Sequence, residues 1–282
     1  VTEPTRTTPD PRAVLSDIAA KGEADFDLAE AALALAALRH PGVSLDPYRA
    51  HLKELAQDLG DRAAGQASGA VDQAAALADV LAVRHGYAGD DETYDDLDNA
   101  DLMRVIDRRK GLPVALGILY IQTARALGWD VVGLNFPGHF LLRVQGGDAE
   151  RVILDPFHQG RTVEAHDLRE LLKAVQGQAA ELTPELYQPL TDRGVLMRLL
   201  GNVKMRHMEA CRFAQALETI TDMQLLAPDD PALWRERGLM HMRVGDLPGA
   251  IAALDEYVAR AADGPDRTRI DQVLQELRQR LH

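Results

Sequence analysis

The sequence predicts an α+β protein that is mostly helical, with a small antiparallel sheet in its middle. Three observations carry that prediction. Apolar residues recur at three- and four-residue steps in both flanks of the chain. Between about residues 130 and 154 the pattern changes to short runs rich in Val, Leu and Phe, separated by turns. Further on, Ala216-Leu217 recurs as Ala250-Ile251, a spacing of 34 residues. The chain has 282 residues, enough for about two domains. Each can bury a core without disulfides or a structural metal.

Residues 1–10 are polar and read as a disordered tail. The helical pattern then begins. Leu28, Ala31, Ala32, Leu35 and Leu38 form one helix face, stopped by His40-Pro41-Gly42. Pro47 opens a second helix with the stripe Tyr48, Leu52, Leu55 and Leu59, ended by Gly60. A third runs through Val71, Ala75, Ala78 and Leu81, so three short packed helices come first. An acidic segment, Gly86 to Asn99, precedes a helix around Leu102–Arg109. Gly111-Leu112-Pro113 then launches an apolar helix that Gly128 closes. Proline is favourable at the first helical position, because its missing N–H would have no intrahelical partner. Apolar and small residues surround this helix, which predicts burial on several sides. Asp130–Asn135, Phe140–Val144 and Arg151–Leu154 follow as adjacent antiparallel strands. A central helix beside a small meander makes an α+β domain over residues 11–170.

Residues 171–282 are helical again, and the repeat lies there. Leu200 matches Trp234 at the same 34-residue offset. Trp234, Gly238 and Ala250 fall at the spacing of the tetratricopeptide signature, and Pro228 falls where such a repeat ends. About two repeats are visible, with Arg267–Leu281 as a capping helix. Met205, Met208, Met240 and Met242 follow helical spacing and are expected to fill the core.

Charge and cysteine content narrow the function. Lys and Arg number 31 against 44 Asp and Glu, a formal net charge of −13. Such a chain is repelled by nucleic-acid backbones and anionic membranes. No basic run exceeds Arg108-Arg109-Lys110. The one cysteine, Cys211, excludes an internal disulfide and a Cys-based zinc knuckle. It is expected to face helix packing in the first repeat. The first ten residues lack the apolar core of a signal peptide. The longest apolar stretch, near Val114–Ile121, is far short of the roughly 18 residues a membrane span needs. A cytoplasmic protein is expected.

Three pieces stand in suggestive order: Gly111-Leu112-Pro113 at a helix start, His139 at a strand start and Asp155 at a strand end. Acyl-transfer enzymes that use a thiol place the nucleophile at a helix N-terminus, with a His to take its proton and a carboxylate to orient that His. Arg109-Lys110-Gly111-Leu112-Pro113-Val114-Ala115-Leu116, Leu119-Tyr120, Ala124-Arg125 and Leu127-Gly128 resemble the transglutaminase-like superfamily. More narrowly they resemble the bacterial SirB-type proteins, which join such a domain to tetratricopeptide repeats. Pro137-Gly138-His139-Phe140 and Leu154-Asp155-Pro156-Phe157 match that family's other signatures. Leu200-Asn202-Lys204, Ala216-Leu217 and Arg237-Gly238 match its repeat region. The resemblance covers roughly residues 15 to 280, and it implies a transglutaminase-like core followed by helical repeats.

The resemblance does not extend to the nucleophile. Where active members carry Cys, two residues after the glycine that opens the helix, this chain has Pro113. Leu112 to Ala115 contain no Cys, Ser or Thr, and Tyr120 and Thr123 lie two to three turns further in. The reading that follows is a non-catalytic binding or regulatory protein whose repeats contact a protein or peptide. The alternative is a hydrolase or acyltransferase in which His139, oriented by Asp155, activates water. The pair could also be structural, Asp155 accepting a hydrogen bond from His139 to pin the strand ends. Lys204, Arg206 and Arg212, with Trp234, could receive an acidic peptide. His139, Asp155, His158 and His166 lack the spacing of known zinc motifs, so neither metal nor cofactor is expected. The acids Asp90, Asp91, Asp95, Asp96 and Asp98 read as a solvated loop. His85 and Arg84 read as surface or packing residues. No pattern specifies an oligomeric state.

Overall fold

A computed structural model describes residues 10–22, 26–64, 69–147 and 150–281. Of the polar tail expected at residues 1–10, all but Asp10 lies outside the described residues. The chain divides into two units, Val1–Leu199 and Leu200–His282, whereas the sequence reading places the boundary at residue 170. The division falls inside the helix Asp192–Glu209.

In the first unit, four helices among the described residues precede the acidic segment, where the sequence predicts three. The additional one, α1 (Pro11–Ala20), is short, with only Leu15 and Ile18 buried, which leaves a weak periodic signal. It is started by Asp10, whose carboxylate accepts from the Arg12 amide at 3.0 Å. In α2 (Leu28–Ala37) every residue except Glu30 is buried, which explains its alanine and leucine content. Helix α3 (Asp46–Ala63) buries only Leu55, Asp58 and Leu59. Helix α4 (Ala70–Ala78) continues into a π-helical turn, Asp79–Arg84, and Gly86 then reverses the chain at φ +72°. Short strands β1 (Ala88–Gly89) and β2 (Lys110–Gly111) pair in parallel on either side of α5 (Leu102–Arg108).

Helix α6 (Pro113–Arg125) is buried along nearly its whole length, as its composition predicts. It packs against a four-stranded antiparallel meander of β3 (Asp130–Phe136), β4 (His139–Gln145), β5 (Arg151–Asp155) and β6 (Arg161–Thr162). Phe140 enters between α6 and β3. A Cβ added at Gly117 would lie 2.3 Å from its ring, and one at Gly133 2.7 Å. The opposite sheet face carries Leu134, Phe136 and Leu141. It closes over Val163 and over Leu168 and Leu172 of α7 (Ala165–Gln176). Period-2 alternation thus feeds two cores, one on each side of the sheet.

Helix α8 is Asp192–Glu209, and its last turns open the second unit. Helices α9 (Phe213–Leu226), α10 (Pro231–Arg243), α11 (Leu247–Arg260) and α12 (Pro265–Leu281) follow. Gly238 of α10 is where the repeat needs a small residue: a Cβ there would sit 2.5 Å from Leu254 of α11. Trp234 packs against the cluster of Ala250, Leu254, Tyr257, Ile270, Leu274 and Leu277. Cys211 and Gly245, 34 residues apart, both take positive φ (55° and 79°) after the first helix of their repeats. Cys211 is exposed in that turn and does not face helix packing, which corrects the sequence expectation. The methionines divide as well: Met240 is buried, but Met205 and Met242 are 48% and 37% exposed and fill no core. Among the described residues no helix is long and apolar enough to cross a membrane.

Candidate functional site

Helix α6 starts at Leu112, which makes no side-chain capping bond, and Pro113 is its first residue. The helix N-terminus that would carry a nucleophile therefore presents a pyrrolidine ring. Tyr120 and Thr123, the nearest hydroxyls along α6, are fully buried, and their oxygens have no hydrogen-bond partner among the described residues. Burial, followed by the charge of Asp155, pushes the Tyr120 phenol above its ordinary range. Neither hydroxyl is placed to attack a bound ligand.

Asp155 ends β5, and its carboxylate is committed locally. One oxygen accepts from the Phe157 amide at 3.0 Å and the His158 amide at 3.3 Å. The other lies 2.6 Å from His158 Nδ1. The hydrogen bond expected between His139 and Asp155 is not formed. The reason is register. Phe136 pairs with His139 at the β3–β4 turn, while Leu142 pairs with Leu154 on the other edge of β4. Asp155 therefore stands level with Leu141, two residues or about 7 Å along the strand from His139. A histidine three residues ahead in the Asp155-Pro156-Phe157-His158 turn takes the carboxylate instead.

His139 remains in the field of this group without touching it. Its half-buried imidazole makes no hydrogen bond among the described residues and lies 6.5 Å, ring to ring, from Phe136. Burial lowers its pKa below 6.5; the charges of His158 and Arg198 lower it too, and Asp155 opposes them. At neutral pH the ring is an uncharged base.

Arg198 of α8 is the residue that sequence reasoning missed. Its Nη2 donates to the His139 carbonyl at 2.8 Å, and Nη1 donates to the Asn135 side-chain oxygen. No carboxylate pairs with it among the described residues, and burial lowers its pKa. One arginine on an amphipathic helix leaves no motif. Only the β3–β4 register, which brings Asn135 beside the His139 turn, makes it a partner of the site.

Aromatic rings border this group. Phe157 meets Tyr94 edge-on at 5.7 Å and His158 at 5.3 Å. Phe157 can approach because residue 89 is glycine: a Cβ there would lie 2.4 Å from the ring. His158 and His166 are 57% and 71% exposed at their side chains, and His166 lies 3.4 Å from Asp167. Among the described residues no three His, Cys, Asp or Glu side chains converge on a metal position.

The residues proposed for peptide capture in the repeats do not form one open patch. Lys204 is ion-paired with Glu236. Arg206 is buried, with Nη1 donating to the Asn202 carbonyl at 3.3 Å. Arg212 is exposed at the start of α9. Trp234 donates to the Pro228 carbonyl at 2.8 Å, and the guanidinium carbons of Arg237 and Arg260 lie 5.6 and 4.9 Å from its ring centre. The acidic loop departs from expectation at one position. Asp90 is buried, whereas Asp91, Asp95 and Asp96 are exposed. His85 and Arg84 both pair with Asp58, at 2.6 and 2.8 Å.

Comparison with known proteins agrees with this architecture. Residues 46–201 match the family model described as transglutaminase-like superfamily, and residues 203–275 match one described as tetratricopeptide repeat. A UPF0162 protein of Pseudomonas aeruginosa is 32% identical over 251 residues, covering 89% of this chain and 90% of the relative. A UPF0162 protein of Xylella fastidiosa (strain Temecula1) is 33% identical over 176 residues, 61% of this chain. The chain spans only 62% of that relative's length. Protein SirB1 of Salmonella typhimurium is 28% identical over 164 residues, 58% of this chain and 61% of its own. With the core helix, the meander and the repeats each matched in order, the chain belongs to the transglutaminase-like superfamily and, within it, to the SirB-type family.

Proposed function

We propose that this protein is a non-catalytic binding and regulatory protein of the cytoplasm. Its transglutaminase-like domain recognises a ligand beside the half-buried His139, and its repeats contact a protein partner. The observation that carries this reading is Pro113 at the first position of α6, with no Cys, Ser or Thr from Leu112 to Ala115. A site without its attacking atom retains only binding and charge stabilisation. The tetratricopeptide region supports a protein-interaction role, because such repeats build extended surfaces for other chains.

A second reading has one observation in its favour. His139 is neutral and makes no hydrogen bond among the described residues, so it could accept a proton from water, as a hydrolase or acyltransferase built on the His139-Asp155 pair requires. Against it, Asp155 is bonded to His158 and does not orient His139. Incubation with a peptide amide and an activated ester separates the two. No turnover above the His139→Ala background is expected, and hydrolysis that disappears in His139→Ala overturns the binding reading. In parallel, a partner held stoichiometrically by the wild type and lost with His139→Ala places recognition at His139.

A further inference from the structure

We propose that Arg198, held at the His139 turn, is the receptor for a single carboxylate group, so that the ligand bound beside that turn carries one. The inference rests on the binding reading above and names the chemistry of its ligand. Arg198 is half-buried and holds a full positive charge. A charge withdrawn from water is ordinarily matched by an opposite one. Its two contacts, the Asn135 side-chain oxygen and the His139 carbonyl, are neutral acceptors. They orient the guanidinium without compensating it, and they use two of its five N–H bonds. Because the fork is held at the backbone of His139, a group bound to its remaining donors lies beside the His139 turn. A planar carboxylate matches such a fork in shape and charge.

The charges around the site select a monoanion. Arg198 supplies one positive charge that no carboxylate pairs among the described residues, and the neutral His139 ring adds none. Asp155 lies within electrostatic reach of His139, so a second negative charge on the ligand would meet repulsion. A phosphate dianion is therefore disfavoured relative to a carboxylate. Tyr94, 46% exposed and within electrostatic reach of Arg198, continues through Phe157 as an aromatic border. That border suits the apolar part of a peptide or small organic acid.

The test follows the His139 Cε1–H resonance in the full-length protein during titration with acetate, acetamide and inorganic phosphate. Acetate is expected to shift the resonance saturably and to raise the apparent pKa of His139, and the uncharged acetamide to leave both unchanged. Arg198→Gln should weaken acetate binding at least tenfold with an unchanged circular dichroism spectrum, and Arg198→Lys should restore part of it. A linear, unsaturable response to acetate overturns the proposal, as does equal affinity in Arg198→Gln or tighter binding of phosphate. The acetate–acetamide contrast needs no variant, so it stands even if Arg198→Gln does not fold. Partner capture separates this inference from the reading beneath it. Capture lost with His139→Ala but kept with Arg198→Gln removes the carboxylate and leaves recognition at His139. Capture kept with His139→Ala removes recognition at His139 itself.

Discussion

Asp90 shows how a residue's neighbours in space change what its neighbours in sequence imply. It sits in a run of acids that reads as solvated, yet its carboxylate is buried. It accepts from Thr93 Oγ1 at 2.6 Å, the Thr93 amide at 3.0 Å and Arg108 Nη2 at 2.9 Å. The Thr93 hydroxyl is the main reason that its pKa falls to about 2. Removing Asp90 takes away the carboxylate 2.9 Å from Arg108 Nη2, although Arg108 Nη1 keeps Asp96 and Asp98 at 3.9 and 3.8 Å. It also leaves the Thr93 hydroxyl and amide without their acceptor. Asp90→Ala should therefore lower unfolding free energy by about 2 kcal/mol in urea titration, against less than about 0.5 kcal/mol for Asp91→Ala on the exposed side of the same loop. Equal effects would mean that Asp90 is solvated after all. The functional residues divide along the same line. His139 and Asp155 were legible because each stands in a local motif, but their separation and the switch of Asp155 to His158 depend on strand register. Arg198, 59 and 63 residues along the chain from the two residues it touches, had no local signature.

Elements were legible where one physical signal was strong. Helix α6 was marked by Pro113 at its start and Gly128 after its end, and the meander by its turns. Strand β6, with two residues, is too short to show a period. The π-helical turn Asp79–Arg84 keeps a helical pattern and so merges with α4 in sequence. The glycines separate packing from propensity. At Gly117 the missing Cβ makes room for Phe140, and replacement by Ala forces an overpacked contact. At Gly60, inside α3, a Cβ would meet nothing within 4 Å. Gly117→Ala should cost about 2 kcal/mol, whereas Gly60→Ala should stabilise by about 0.8 kcal/mol through helix propensity alone. Thermal melts followed by circular dichroism give both signs in one experiment. A stabilised Gly117→Ala would show that α6 and the sheet are not in close contact there.

For the whole molecule the governing quantity is charge, and its effect on stability is opposed by two histidines. The net charge of −13 falls toward zero as pH approaches the isoelectric point near 5.1, and relief of self-repulsion alone would then stabilise the fold. His51 and His139 act the other way. His51 lies 2.7 Å through Nδ1 from Glu54, with Tyr87 OH and Arg109 Nη1 at 3.0 and 2.6 Å from Nε2. Since Arg109 can only donate, Nε2 must be the acceptor, and a proton there would face the guanidinium. The His85 ring lies 5.5 Å away, and Asp58 bonds to His85. Burial is the first cause of the lowered His51 pKa; the charges of Arg109 and His85 add to it, and Glu54 opposes them. The same is true of His139 with respect to burial. A folded-state pKa below 6.5 means that the unfolded chain binds the proton more readily. The stabilisation is therefore whole above pH 6.5 and is lost as pH falls through that value toward the folded one. Asp90 contributes nothing to this window, since its stabilisation is lost only as pH falls below 3.8 toward about 2. Urea midpoints at pH 7.5, 6.5 and 5.5 should therefore fall more steeply for the wild type than for His51→Gln, which keeps the general change in charge but has no proton to gain. If both lose stability in parallel, the His51–Arg109 contact is not the acid-sensitive element, and the slope must come from His139 or from charges spread over the surface.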